Sequence, residues 1–322
     1  MTKTVRLYGC GGAGVNIANH YASINQTSTT MAKISPAAID TSMSNLKGTE
    51  ISESMTYLIE GLDGSGKVRK ENYEEVTKNV RQMINEIEPT EVNLVVFSAS
   101  GGSGSVIGPL ITKALIDQGA VVIPIVIGSY DSTICAENTT NTLKSLEGVS
   151  AATDSPVIMS YHLNDSNKRR SEVDATIYSV VGTLALLTSG EVAEVDTQDI
   201  RHWAYYNKIA GKPQLSTLHV VLDSDRLEQY NTPVAAASLY PDPDAPHTTV
   251  GADYHVIGYT DLSTVDNADE VHFVVSQQYL TEIYSDISDI TKKMVDTRDA
   301  RVDRDSIIDK KKDKPDENGL VL

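Results

Sequence analysis

The stretch VNLVVFSASGGSGSVIGPLI, residues 92–111, constrains this chain more than any other. Val92, Leu94, Val95, Val96 and Phe97 read as a buried strand. The chain then breaks into Ser98, Ala99, Ser100, Gly101, Gly102, Ser103, Gly104 and Ser105, and resumes with an apolar helical pattern. Glycines between a strand and a helix let backbone N–H groups approach a ligand closely. The serines add hydroxyls, and the helix turns its positive dipole end into the loop. That combination suits phosphate oxygens; the plainer alternative is a tight Gly/Ser-rich connection without a ligand.

A second glycine loop lies at the start of the chain. The strand pattern TVRLY leads into Gly9, Gly11 and Gly14, which match the G-x-G-x-x-G spacing of a dinucleotide-binding turn, with Gly12, Ala13 and Asn16 opening a helix. Asp40 ends the next strand candidate, where an acidic ribose-binding residue would fall. Taken alone, this points to an NAD-dependent oxidoreductase. Two phosphate loops at the ends of two strands of one sheet instead suggest a nucleoside di- or triphosphate clasped from both sides. A third cluster, Gly61, Gly64, Ser65, Gly66 and Lys67, is a surface turn or a loop that senses a terminal phosphate. It is not a P-loop: Val68 follows the lysine, and no strand pattern leads in.

Composition narrows the function classes. The formal net charge of −17 and the lack of a long basic patch argue against direct nucleic-acid binding. Acidic ligands must be held locally, by amides and individual side chains. Two cysteines, Cys10 and Cys135, have no metal-ligand spacing and suggest a reducing compartment. The chain enters a strand pattern at once, so no signal peptide is expected. Its longest apolar run, residues 120–127, is too short to span a bilayer. A soluble cytoplasmic protein without membrane contact is the expectation.

Further along, Glu137, Asn138 and Asn141 lie in a polar segment after the strand at 120–127, and Asn164 follows a strand at 156–161. Alternating strands and helices argue a parallel sheet with ligands at the carboxyl ends of its strands. Residues 172–189 form a helix apolar on most faces, read as buried between two layers, with Asp174 out of character near its start. Asp196 and Asp199, three apart before an amphipathic stretch, could simply cap a helix. Strand-like runs at 217–223, 253–259 and 271–276 mark a smaller mixed domain, followed by a polar helix near 279–301 and a charged tail.

The order of glycine loop, strand-end Asp40, second glycine loop, buried connecting helix and D-x-x-D resembles the tubulin/FtsZ superfamily. Ser100, Ser103 and Val106 depart from its common G-G-G-T-G-[ST]-G. Those departures, the following GPLI and the IID…ENGLVL ending look like the branch found in giant bacteriophages. The resemblance covers essentially the whole chain. It implies a tubulin/FtsZ-like α/β fold: a Rossmann-like parallel-sheet GTPase domain (1–170), a buried core helix (171–189), a catalytic loop and smaller α+β domain (190–277), a C-terminal helix (278–302) and a tail (303–322).

Carried over by position, the resemblance implies a GTP/GDP site. Gly11, Gly12, Ala13 and Asn16 would form the first phosphate loop, and Asp40 with Thr41 the second. Gly64, Ser65 and Gly66 would respond to the γ-phosphate; Ser100, Gly101, Gly102, Ser103, Gly104 and Ser105 would hold the α- and β-phosphates. Glu137 and Asn141 fall at ribose-side positions, Asn164 and Asp174 at base-reading ones. The catalytic pair falls on Asp196 and Asp199, with Glu194 where most members carry Asn. Mg²⁺ is expected as phosphate counterion, with no dedicated metal cage. The resemblance further implies head-to-tail filaments, hydrolysis completed by a neighbour's carboxylates, and a tail latch through Asp316, Glu317, Leu320, Val321 and Leu322. It implies a role positioning phage DNA in the host cytoplasm. The competing readings are the NAD enzyme and a GTP-binding scaffold that does not hydrolyse.

Overall fold

The computed structural model describes residues 3–164, 168–230, 232–265 and 268–299, with side chains through Met294. The first half alternates strands and helices: β1 (Thr4–Cys10), α1 (Gly11–Ser23), β2 (Lys33–Asp40), α2 (Met43–Leu46), β3 (Thr56–Leu58), α3 (Arg69–Glu86), β4 (Val92–Ser98), α4 (Gly104–Asp117), β5 (Val121–Gly128), α5 (Thr133–Thr153) and β6 (Val157–Leu163). Then come α6 (Arg170–Leu187), α7 (Thr197–Ala204), β7 (Leu215–Val221), β8 (Ala235–Tyr240), β9 (Tyr254–Tyr259), β10 (Val271–Ser276) and α8 (Gln278–Asp299).

Strands run in the order β3-β2-β1-β4-β5-β6-β7-β10-β8-β9. β1 to β6 pair in parallel, as near-continuous apolar runs buried on both faces require. The order reverses direction between β1 and β4, so a crevice opens beyond their carboxyl ends. Pro124 sits within β5 without an amide hydrogen, and the pairing of β5 with β6 begins only at Ile125. The smaller layer is continuous with the first: β7 joins β6 in parallel through Val157↔Leu215 and Met159↔Thr217, and β10 then pairs antiparallel with β7 and β8.

Three readings change in the structure. The helix α6 is buried on most faces only along its second half, Thr183 to Leu187; Glu172, Ala175 and Thr176 face solvent. The first turns have an open side because that end passes the sheet's carboxyl edge instead of lying between layers. β3 does lead toward the 61–67 loop; a three-residue edge strand is too short to give a hydrophobic pattern. β8, AAASLY, is fully buried yet carries no β-branched residue to announce it.

Candidate functional site

The two glycine loops meet backbone to backbone. Gly11 has φ +71°, and a Cβ there would lie 2.6 Å from the Gly104 nitrogen. A Cβ on Gly104 would lie 2.7 Å from the Cys10 carbonyl oxygen. Only glycine at both positions allows α1 and α4 to begin side by side. Neither helix has an acidic residue in its first turn or a side-chain cap at its start. Their first N–H groups thus lack the usual internal partner, and two positive dipole ends converge on one place. That place accepts anions.

Side chains then fix the surrounding loops. Asp40, fully buried at the end of β2, accepts from the Thr41 amide at 2.6 Å, the Ser42 amide at 3.2 Å and Asn45 Nδ2 at 2.9 Å. Burial pushes the Asp40 pKa up against these bonds. Thr41 Oγ1 and Ser103 Oγ are 2.6 Å apart, which ties the β2 loop to the β4 loop. Asn72 on α3, also buried, donates to Ser103 Oγ at 3.2 Å. Asn138 on α5 donates to the carbonyls of Lys67 (2.9 Å), Ser100 (3.1 Å) and Gly101 (3.4 Å). One buried amide thus holds the third glycine cluster against the central loop. Gly102 makes the approach possible, since any Cβ there would collide with Ser65.

Ser100 Oγ lies 3.0 Å from Ser98 Oγ, and Ser105 Oγ donates to the Gly102 carbonyl at 3.0 Å. Ser105 therefore spends its hydroxyl on loop shape. Pro109 removes the amide that would have bonded the Ser105 carbonyl in α4, and Arg69 Nη2 occupies that carbonyl at 3.1 Å.

Glu137 and Asn141 are exposed one turn apart on α5, and Gly12, Ala13 and Asn16 lie in the first turns of α1. Asn164 follows β6, its amide bonded to the Gly128 carbonyl at 2.9 Å. Asp174 is in the first half of α6, where burial raises its pKa and Arg170 opposes the shift. All of these lie toward the carboxyl ends of the parallel strands. Asn138, named in the sequence with Glu137 and Asn141, turns its side-chain amide to the loop carbonyls, and Asn72 is a residue that sequence reasoning misses; each takes a buried helical position otherwise given to apolar or small residues, which is the signal that could disclose it.

Asp196 and Asp199 lie at the opposite pole. Asp196 Oδ1 accepts from the amides of Gln198 (2.6 Å) and Asp199 (3.0 Å), and Asp199 Oδ2 accepts from the Asp196 amide at 2.8 Å. In the subunit alone, the pair is a reciprocal helix cap. The amides of Asp199 and Gln198 hold the Asp196 pKa down, and the carboxylate is solvent-exposed. The loop before it is pinned by two bonds between Ala193 and Tyr259, at 2.8 and 3.1 Å. Glu194 has φ +66°, a conformation in which Asn would be less strained. The loop's place at the amino ends of the strands is fixed by Lys3, which donates to Thr197 Oγ1 at 2.7 Å, and by Arg201, which donates to the Gly119 carbonyl at 2.8 Å. Strands of this length separate the two poles by roughly 23 Å. The tail residues Asp316, Glu317, Leu320, Val321 and Leu322 lie outside the described residues.

A parallel sheet closed at its switch point by two converging glycine loops, with a D-x-x-D helix at the far pole, defines a class, and comparison with known proteins agrees. Residues 4–163 match the tubulin/FtsZ family GTPase domain, and residues 195–277 match the phage tubulin-like protein C-terminal domain. A phage tubulin-like protein of Pseudomonas phage phiKZ is 32% identical over 91% of this chain and 89% of its own length. The solved protofilament of TubZ from bacteriophage PhiKZ superposes with a TM-score of 0.86 at 32% identity, covering 99% of both chains. The solved structure of the phage tubulin PhuZ with GDP gives a TM-score of 0.87 at 25% identity, covering both chains fully. The chain belongs to the tubulin/FtsZ family, in its phage tubulin-like branch, and is a guanine-nucleotide-binding GTPase.

Proposed function

We propose that this GTPase polymerises head to tail and that each active site is completed by the next subunit. The observation that carries the reading is the separation of the parts. The anion-binding loops sit at the carboxyl pole, while the exposed Asp196 and the half-buried Asp199 sit at the amino pole of the same sheet. No side-chain motion spans that distance, so the carboxylates can serve a nucleotide only in another copy. Stacked subunits would place the pair over the γ-phosphate, where it can orient and polarise the attacking water. Such an interface does not close on itself and yields filaments. Exposed Met43, Val68 and Ile134 at the nucleotide pole and Ile209 beside α7 supply apolar surface at both ends. The solved protofilament of the PhiKZ relative supports self-association into filaments.

Magnesium would accompany the phosphates. Thr41 and Asp63 supply oxygen donors near the β2 loop, and no group of three or more His, Cys, Asp or Glu among the described residues forms a cage. That donor set fits an ion carried on phosphate oxygens and water, which would neutralise phosphate charge. No described helix is long and apolar enough to cross a membrane. Positioning phage DNA in the host cytoplasm is the cellular role that membership of this branch suggests.

The test is light scattering of the purified protein with GTP, GDP and NAD, with phosphate release recorded in parallel. GTP alone should give scattering and phosphate release with the same concentration threshold. Hydrolysis below that threshold at the full rate would place a complete site within one subunit. Scattering without phosphate would mark a non-hydrolysing scaffold.

A further inference from the structure

Residues 190–199 carry Glu191, Glu194, Asp196 and Asp199 and no basic side chain. Such a segment repels itself, so its pose must be set from outside. One outside tie reaches between the two aspartates. Lys3 Nζ donates to Thr197 Oγ1 at 2.7 Å and pairs with Glu91 Oε2 at 3.3 Å. Because the donor is charged, this bond is stronger than one between neutral groups. Gly190 makes the crossing possible: its φ is +78°, and a Cβ there would lie 3.0 Å from Lys3 Cε. The lysine's own backbone is fixed as well. Its amide donates to the Ser189 carbonyl at 3.3 Å, just past α6, and its carbonyl accepts from the Lys33 amide at 2.9 Å, at the start of β2. Lys3, Glu91, Asp196 and Thr197 line one small pocket.

Lys3 immediately precedes β1, and Glu91 immediately precedes β4. These are the two strands whose carboxyl ends lead into the converging glycine loops. The tie therefore references a subunit's carboxylates to its own phosphate loops, across strands of nearly fixed length. We propose that Lys3 is a positioning residue for hydrolysis: through Thr197 it sets where Asp196 and Asp199 meet the neighbour's nucleotide. In a stack of identical subunits the tie repeats in every copy, and the span from phosphate loop to carboxylate pair repeats with it. Lys3 does not touch the reacting atoms. Its effect passes through the first turn of α7, and a misplacement on the order of 1 Å is enough to slow such a reaction markedly.

This inference rests on completion of the site by the next subunit, and the experiment separates the two. Phosphate release per assembled subunit and monomer affinity for GTP are measured on the full chain for wild type, Lys3→Met, Lys3→Arg and Thr197→Val. Lys3→Met keeps a stem over Gly190 and removes the ammonium; Thr197→Val breaks the same bond from the other side without touching β1, and decides alone if Lys3→Met does not fold. Each should release phosphate about tenfold more slowly, with GTP affinity unchanged, and Lys3→Arg should recover part of the loss. Mixed with Gly104→Val subunits, whose amino pole is intact but whose phosphate loop is blocked, Lys3→Met subunits should regain phosphate release. Mixed with Asp199→Asn subunits they should not, because both lesions lie at the same pole. A wild-type rate in either Lys3→Met or Thr197→Val would overturn the proposal. So would slowing matched by an equal loss of GTP affinity, which would make the tie a structural strut. If Asp199→Asn and Gly104→Val subunits assemble together yet fail to restore each other, the parent reading falls and the proposal with it.

Discussion

Asp196 and Asp199 hold two tasks that can be separated chemically. As a reciprocal cap they close the start of α7, and as surface carboxylates, Asp196 exposed and Asp199 half-buried, they are available to another molecule. Alanine would confuse the two, because losing a cap costs about 1 kcal/mol by itself. Asparagine caps a helix as well as aspartate does but cannot polarise water in the same way. Asp196→Asn and Asp199→Asn should therefore shift thermal stability by less than about 0.5 kcal/mol. Phosphate release should fall by roughly 10²-fold or more, while GTP binding persists. Turnover at the wild-type rate with a normal melting temperature would leave the pair as a cap only. Asn138 illustrates the opposite kind of residue: it donates to three carbonyls and thereby shapes the loops. Its contribution is the placement of Lys67 and the central loop.

Elements α1 and α4 depend on a contact that leaves no room for a side chain. Gly104 is the first residue of α4 and abuts the Cys10 carbonyl, so even Gly104→Ala must push the two helix starts apart. The expected result is about 1–3 kcal/mol lost stability and a GTP affinity at least tenfold weaker, read by thermal unfolding and nucleotide titration. Unchanged affinity would take this junction out of the site. The glycine loops and their strands were legible because a buried apolar run followed by Gly and Ser has few structural solutions. β8 was not, since alanine carries no strand preference, and the open side of α6 was hidden by small residues such as Ala175 and Gly182. Nor could the pattern reveal that Ser105 spends its hydroxyl on Gly102, because serine in a loop has many partners to choose from. The strands also carry a pH dependence. Burial lowers His162, on β6, and His219, on β7, each to about 4, with Lys168 and His219 adding to the effect on His162; burial and the neighbouring His272 and His247 bring His255, on β9, to about 4. Folded pKa values below the unfolded value of about 6.5 mean that the unfolded chain binds more protons in between. Stability is therefore complete above pH 6.5 and is lost as pH falls toward 4. Buried Asp40, with its raised pKa, works in the opposite sense. His219 sits between Tyr230 and Tyr279, at 4.8 and 4.5 Å between ring centres. His219→Gln should shrink the fall in melting temperature between pH 7 and pH 5; an unchanged fall would exclude His219 as a contributor.

For the whole molecule, the formal charge of −17 means that like subunits repel at long range, so assembly must be driven by short-range contacts at the poles. A tail whose last residues are Leu320, Val321 and Leu322 would add such a contact in trans. Deleting residues 313–322 should raise the assembly threshold without altering monomer affinity for GTP, and assembly at the wild-type threshold would remove the latch. The division of the active site between two poles has a sharper consequence. Asp199→Asn subunits keep the phosphate loops but lack a working carboxylate pair. Gly104→Val subunits keep the pair but cannot seat a nucleotide, provided that thermal unfolding shows them folded. Alone, each should release almost no phosphate. Mixed in equal amounts, Asp199→Asn subunits carrying GTP can meet the intact carboxylate loop of Gly104→Val subunits. If the two kinds join at random, about one interface in four is complete, and phosphate release should return to roughly that fraction of wild type. Recovery should depend on total concentration and vanish below the assembly threshold. A mixture that stays as silent as its components, while sedimenting as a mixed filament, would refute catalysis in trans.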